Sequence, residues 1–356
     1  MKVTRLPVDP GPAAWNEILP QPALPEALDG QMTADWLVIG AGYAGLAATR
    51  RLAQLHPDAR IVLMEAKRVG EGPAGRNSGF MIDLPHDLSS DDYGGALEAD
   101  IAQTRANRAG IDFAQEMAQE FGLGDEAFCR AGKVNAAATA KGHQHNLDYA
   151  AHLSRMGEPH EMLDADAMRQ MTGSAYYRSG LFTPGAAMIQ PAMFVRGVAA
   201  GVRSNRVRVF ENTPVVALAR RGHDWVARSD QGAVTAPKVI LAVNGHAESF
   251  GQFKGRLLHV FTYASMTRAL TPDEGRRLGG QPRWGVTPAD PMGTTVRRVS
   301  GTGGVRIVVR NRFTCDPSLE VSAGRIARVG RDHDRAFAAR FPMLDGVDME
   351  YRWGGR

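Results

Sequence analysis

The sequence predicts an α/β chain in which a discontinuous parallel-sheet domain is interrupted by an inserted α+β domain built on a mainly antiparallel sheet. Three observations predict it. Leu37-Val-Ile-Gly40-Ala-Gly42-Tyr-Ala-Gly45-Leu, followed by Ile61-Val-Leu-Met-Glu65, reads as a strand, a glycine turn, a helix and a second strand ending in an acid. Much further along, Lys238-Val-Ile-Leu-Ala-Val-Asn244-Gly245 is an apolar strand of the fully buried kind, which belongs beside Leu37 in one parallel sheet. The residues between them alternate helical periodicity with short strand runs of another character.

The first of these segments is what a Rossmann-type dinucleotide site requires. Gly40 allows the tight turn, Gly42 lets the backbone approach a pyrophosphate, and Gly45 lets the helix pack on the strand. The helix N-terminus offers unpaired N–H groups and the positive end of its dipole. Glu65, about twenty residues past the glycines, stands where a carboxylate accepts hydrogen bonds from a ribose hydroxyl, and an acid there argues against a 2′-phosphorylated dinucleotide. The bland alternative is an ordinary βαβ unit with fortuitous glycines.

A leader, 1–31, carries Pro7, Pro10, Pro12, Pro20, Pro22 and Pro25, and so many fixed φ angles predict an extended strap over the surface rather than a helix. After the βαβ start, Gly70-Glu-Gly-Pro-Ala-Gly75-Arg76-Asn77-Ser78-Gly79-Phe80 is a loop. The pattern then predicts a helix over 97–121, a strand over 133–138 and a helix over 142–156. Pro191 suits the first turn of a helix over 192–200, and 207–211 is a strand. Segments 215–219 and 225–228 form a hairpin around Arg221-Gly222. This order places the dinucleotide domain at 32–95 and 190–250 and the second domain at 96–189 and 251–350.

Composition narrows the function classes. The 356 residues are 44% hydrophobic and 22% charged, the make-up of a globular chain with room for two cores. No apolar run reaches the roughly eighteen residues of a membrane span, and no basic-then-apolar signal opens the chain, so a cytoplasmic protein with no membrane partner is expected. The net charge of +4 is dispersed, which argues against nucleic acid. Cys129 and Cys315 are too few for a disulfide framework. No metal site is expected: His143 and His145 are two apart and diverge on a helix. His333 sits in a helix, 323–341, that reads as an amphipathic surface element.

Taken in order, Gly40-x-Gly42-x-x-Gly45 with Glu65, Gly75-Arg-Asn-Ser-Gly79, Thr213-Pro-Val215 and Leu241-Ala-Val-Asn-Gly245 resemble the FAD-dependent D-amino-acid oxidase superfamily, nearest its glycine oxidase and gamma-glutamylputrescine oxidase branch. The resemblance covers roughly residues 33–356, and implies FAD as cofactor. It implies that Gly40, Gly42 and Gly45 carry the pyrophosphate, that Glu65 holds the ribose, and that Arg76, Asn77, Ser78 and Gly79 run along the phosphates towards the flavin. Val215, Ala242 and Gly245 would line the adenosine end. An arginine among glycines is also, by its own chemistry, a credible anion cradle, although Asn, Ser and Gly equally make a solvent-facing turn.

The substrate side is less marked. His259 and Tyr263 stand in a segment resembling the family's long strand over the flavin. Arg306-Ile-Val-Val-Arg310-Asn-Arg312 alternates, so Arg306, Val308, Arg310 and Arg312 share one face of a strand, either to grip a carboxylate or as its wet side. His86 is close in sequence to the phosphate loop, and Tyr176 and Tyr177 are packing residues. The expected activity is dehydrogenation of a C–N bond of a small amine or amino acid, by hydride transfer to flavin, with O2 or another electron acceptor and hydrolysis of the imine. An NAD-dependent dehydrogenase, or a catalytically weak flavoprotein fragment or binding module, is the alternative. The chain stops at Tyr351-Arg-Trp353-Gly354-Gly355-Arg356, before the family's last flavin-contacting segment, so weak FAD retention is expected of it.

Overall fold

The computed structural model describes residues 1–85, 94–290 and 293–355. His86 lies outside the described residues. A parallel sheet forms the heart of the first domain, in the order β10 (Val207–Phe210), β3 (Ile61–Met64), β2 (Trp36–Ile39), β14 (Lys238–Leu241). Ile39 pairs with Leu241 on one side and Met64 on the other, so the late apolar strand does return beside the early one.

Alternate residues of these strands are buried on opposite faces, which is why their sequences are apolar throughout. Val38, Ile61 and Leu63 pack against Leu46 and Leu52 of α2 (Tyr43–Leu55), Ile111 and Met117 of α3 (Leu97–Glu120), and Val195 and Val198 of α6 (Pro191–Gly201). Leu37, Ile39, Val62 and Met64 pack against a smaller sheet, β1 (Gly30–Thr33), β13 (Gly232–Ala236), β12 (Asp224–Arg228), β11 (Ala217–Arg221).

An eight-stranded sheet builds the second domain, in the order β19 (Met349–Gly355), β15 (Val260–Thr267), β18 (Gly304–Cys315), β17 (Thr295–Gly301), β16 (Trp284–Pro288), β6 (Lys133–Ala137), β8 (Ser179–Thr183), β7 (Glu161–Leu163). All its pairs are antiparallel except β16 with β6. One face buries Val134, Val286, Val296, Ile307 and Val309 against Met168 of α5 (Ala165–Thr172), Leu278 of α7 (Pro272–Leu278) and Phe337 of α8 (Ala323–Arg340). Beyond β6 and β8, α4 (Ala140–Met156) buries Tyr149 and Leu153 with Leu181. Three short strands, β4 (Phe80–Met81), β9 (Ala187–Ile189) and β5 (Phe128–Cys129), join the domains. Tyr176 and Tyr177 meet edge to face beside Arg340, as packing residues should.

Two expectations need correcting. Most of the leader is extended and exposed, as a strap should be, but between its prolines it forms α1 (Ala14–Glu17), whose Trp15 is fully buried against Trp353, Ala264 and Met266. A four-residue helix escapes a propensity reading because its stability comes from this distant packing, not from its own turn. The α8 helix is amphipathic, but His333 lies on its inner side, accepting or donating a 2.7 Å bond between Nδ1 and Ser265 Oγ. Burial pulls the His333 imidazole down to about 4. An unfolded histidine titrates near 6.5, so between these values the unfolded chain holds a proton that the folded chain does not. Stability should therefore fall as pH drops through that window, by up to about 3 kcal/mol at its acid end. Thermal melts of the protein and of His333→Gln test this: the substitution should flatten the acid limb.

Candidate functional site

The core of the parallel sheet dictates where a site can form. The chain leaves β2 at Gly40 and enters α2 through Gly42, and Glu65 ends the neighbouring strand β3. These positions open into a cavity of about 1300 Å³. Its wall contains Gly40, Gly42, Glu65, Asn77, Ser78, Val215, Ala242, Gly245 and His259, brought together from six separate stretches of sequence. Gly45, Arg76 and Gly79 support this wall from behind, while Tyr263, Arg310 and Arg312 are not part of it.

The wall suits a dinucleotide phosphate for a reason internal to the structure. The starts of α4, α5, α6, α7 and α8 are each capped by a side chain, from Thr139, Asp164, Gln190, Thr271 and Ser322. The starts of α1, α2 and α3 have no side-chain cap, and that of α2, at Gly42, is the one among these three whose first residues, Tyr43 and Ala44, line the cavity. A Cβ at Gly42 would meet only Ala74 Cβ, at 3.7 Å, so the fold itself does not demand a glycine there. What demands one is a ligand passing close to the backbone.

Glu65 is held rigidly, Oε2 accepting from Ala41 N–H at 2.7 Å and Oε1 from Lys67 N–H at 3.1 Å. Burial pushes its carboxyl above the usual range, against the effect of these N–H donors. Each oxygen keeps a lone pair for a ribose hydroxyl. Glu65→Gln turns a donor towards one of those N–H groups and should weaken FAD binding by about 1–3 kcal/mol, while Glu65→Arg should weaken it further. Unchanged affinity of both variants in a flavin titration would show that Glu65 serves the loop alone.

Arg76 requires a correction. Only 3% exposed, it turns away from the cavity and donates to Gly354 O (2.7 Å), Gly11 O (2.9 Å), Pro10 O (3.1 Å) and Glu71 O (3.4 Å). It ties the leader, the loop and the last strand together. Asn77, by contrast, faces the cavity and shapes the loop, its Oδ1 accepting from Gly79 N–H and its Nδ2 donating to Tyr43 Oη. Gly245 lines the wall, yet its missing side chain makes room for the His259 ring, since a Cβ would sit 3.0 Å from Nδ1. His259 Nε2 pairs with Glu248 Oε2 at 2.7 Å, and this bond draws the Glu248 carboxyl below its usual range.

Tyr263 is buried with its hydroxyl 2.6 Å from Thr314 Oγ1, away from the cavity. Arg312 does not share a face with Arg310. Tyr263 pairs with Asn311 and Thr262 with Phe313, which leaves Arg312 as the extra residue of a β-bulge with φ 66°. Its exposed guanidinium bonds Asp332. Sequence spacing assumes an unbroken pleat and misses this.

The structure also adds residues that spacing did not single out. Tyr43, first in α2, lines the cavity beside Gly42 and donates to Ala74 O at 2.7 Å, burial pushing its hydroxyl up to about 12. The leader contributes Arg5 and Asp9 to the wall, Asp9 pairing with Lys67 at 3.4 Å. Arg297 lies behind the loop, donating to Ser78 O and Ile189 O between the rings of Trp15 and Phe80. Burial pulls it down to about 10. No sequence signal marks it, because its partners lie far away along the chain.

A glycine turn, an uncapped helix start and a cavity-facing acid around one large cavity agree with a family model described as DAO, FAD dependent oxidoreductase, which matches residues 35–356. The chain belongs to this family of FAD-dependent oxidoreductases. The oxidoreductase is 26% identical over 366 residues to the probable oxidoreductase OrdL of Rhizobium meliloti (strain 1021), covering 98% of this chain and 79% of that one. It is 26% identical to the gamma-glutamylputrescine oxidoreductase of Escherichia coli (strain K12), over 93% of this chain and 75% of that one. Its fold is similar to that of glycine oxidase from Geobacillus kaustophilus, with a TM-score of 0.71 at 19% identity over 91% of this chain and 82% of that one. FAD is its cofactor. Among the described residues no helix is long and apolar enough to cross a membrane.

Proposed function

We propose that the oxidoreductase dehydrogenates the C–N bond of a small amine or amino acid, releasing an imine that water hydrolyses to a carbonyl compound. The supporting observation is what the cavity joins: Glu65, the uncapped start of α2, the Asn77-Ser78 loop and Val260, the first residue of β15 in the eight-stranded sheet, all line it. One cavity therefore borders both the dinucleotide turn and the eight-stranded sheet, and the relatives include a gamma-glutamylputrescine oxidoreductase. FAD bound there would accept the hydride from the carbon beside nitrogen.

The chain's own part is positional. Gly40, Gly42 and the first turn of α2 would hold the phosphates of FAD, and Glu65 would hold its ribose. Asn77 fixes the loop at Gly79 N–H, and Arg297 braces the same loop at Ser78 O, so the end of the cavity beyond the phosphates has rigid walls. His259, locked to Glu248, closes the side next to Gly245. No side chain in this arrangement is needed to take a proton from carbon, because the hydride leaves with both bonding electrons and the amine enters unprotonated.

The test is spectroscopic. Purified protein titrated with FAD should acquire a bound-flavin spectrum, and an amine or amino acid from a panel should bleach it without oxygen. Readmitted oxygen, with peroxide assayed, identifies the acceptor. Bleaching by NADH but by no amine would overturn the reading.

A further inference from the structure

The leader borders the cofactor cavity between two anchors. At one end Val3 N–H donates to Val216 O at 2.9 Å and Thr4 N–H to Ser249 O at 3.0 Å. At the other, the carbonyls of Pro10 and Gly11 are held by the Arg76 guanidinium. Of the residues between the anchors, Arg5, Leu6, Pro7 and Asp9 line the cavity. The backbone of residues 5–9 makes no hydrogen bond to any described residue, so its path is set by the two anchors and by the fixed φ of Pro7.

Asp9 is the residue of this stretch whose surroundings call for a ligand. Its side chain is only 5% exposed, and Lys67 Nζ stands 3.4 Å from Oδ2. That buried oxygen receives no hydrogen bond from any described residue. A carboxylate has lone pairs for about four donors, and leaving them unmet in a buried place costs stability. A second acid lies close by: with burial, the Asp9 charge helps to hold the Glu65 carboxyl above its usual range. Arg5 and Arg68, also in the wall, are engaged elsewhere, donating to Ser318 O and Ala23 O. Asp9 precedes Pro10, whose ring restricts its backbone, so the carboxylate is in place before a ligand arrives. Two acids beside one lysine suit a ligand group rich in hydrogen-bond donors and free of negative charge, which describes a ribose and excludes a phosphate.

We infer that the leader is part of the cofactor site, with Asp9 accepting a hydrogen bond from one ribose hydroxyl of the adenosine of FAD while Glu65 accepts from the other. The βαβ unit supplies a single acid at this end of the cavity, where β3 stops, and the leader brings the second from the far side of the sequence. Two carboxylates at the ribose repel a 2′-phosphate more strongly than one. The inference rests on FAD as the cofactor and is independent of the C–N dehydrogenation reading.

ADP carries the adenine, the ribose and the phosphates without the flavin, so calorimetry of FAD-free protein with ADP, 2′-deoxy-ADP and 3′-deoxy-ADP isolates the contact. Asp9→Ala should bind ADP and FAD about tenfold or more weakly than wild type, the range for a hydrogen bond to a charged group. Removing the hydroxyl that Asp9 meets should cost wild type a similar factor and Asp9→Ala almost nothing, whereas removing the other should cost both proteins alike. If Asp9→Ala weakens all three ligands by one common factor, the leader has merely been loosened and the assignment is overturned. Equal binding of ADP and both deoxy forms by wild type overturns it as well. Should Asp9→Ala fail to fold, as its melt would show, Asp9→Asn keeps the shape and removes the charge. It should show the same selective loss at a smaller factor, and a common factor for the three ligands in that variant again overturns the assignment. No amine takes part in these titrations, so their result is distinct from that of the flavin-bleaching test.

Discussion

Gly42→Val is expected to give a folded protein that no longer retains FAD, with affinity lowered at least about a hundredfold. Gly42 has φ −80° and ψ −170°, backbone that valine adopts freely, and a Cβ there has only Ala74 at 3.7 Å for company. The cost to the apo-protein is that of a poorer N-cap residue, about 1 kcal/mol. The isopropyl group instead occupies the space beside the uncapped N–H groups of α2. The other two glycines of the turn should behave differently. A Cβ on Gly45 would lie 1.8 Å from Gly40 O, and one on Gly40 would lie 2.5 Å from Ala242 O at φ 100°, so Val at either position should damage the fold itself. Flavin-to-protein absorbance ratios and melts of the three variants check this. A Gly42→Val protein with full flavin occupancy would remove the phosphates from α2.

Arg76→Met should act in the opposite way, destabilising the protein in the absence of cofactor by about 3–5 kcal/mol. Methionine fills a similar volume and leaves the carbonyls of Pro10, Gly11, Glu71 and Gly354 without their shared donor in a buried place. Arg76→Lys should recover little, because one ammonium cannot serve acceptors spread around a guanidinium fork. Urea unfolding of the apo-protein measures the loss. If instead the apo-protein is as stable as wild type and only FAD affinity falls, the guanidinium reaches a phosphate in solution, as its place in Gly75-Arg-Asn-Ser-Gly79 first suggests.

These two residues show how far the sequence is legible. The role of Gly42 is local: a strand, a turn and a helix set its backbone, and the only protein atom a Cβ there would approach, Ala74 Cβ at 3.7 Å, leaves room for it. Glu65 is legible for the same reason, since β2 and β3 are adjacent strands joined by one helix. The loop at Arg76 is legible as a loop near the phosphates but not in its side-chain directions. Asn77 turns into the cavity and Arg76 away from it, because the acceptors that draw the guanidinium come from both ends of the chain. The helix in the proline-rich leader is invisible for the same cause, since Trp15 is held by Trp353, Ala264 and Asn77 O.

The sequence by itself determined the parallel sheet, the glycine turn, the acid that ends β3 and, through them, the FAD-binding character of the chain. Each of these depends on residue spacing along one βαβ unit, where strand and helix periods translate directly into position. Only the tertiary structure decided which arginine ties the two ends of the chain together, which braces the loop and which pairs with a carboxylate. A β-bulge moved Arg312 off the face that alternation assigns it, and distant carbonyls and carboxylates engaged Arg76, Arg297 and Arg306. The direction of a long polar side chain is set by the partners it finds after folding, and here those partners lie on other strands and loops.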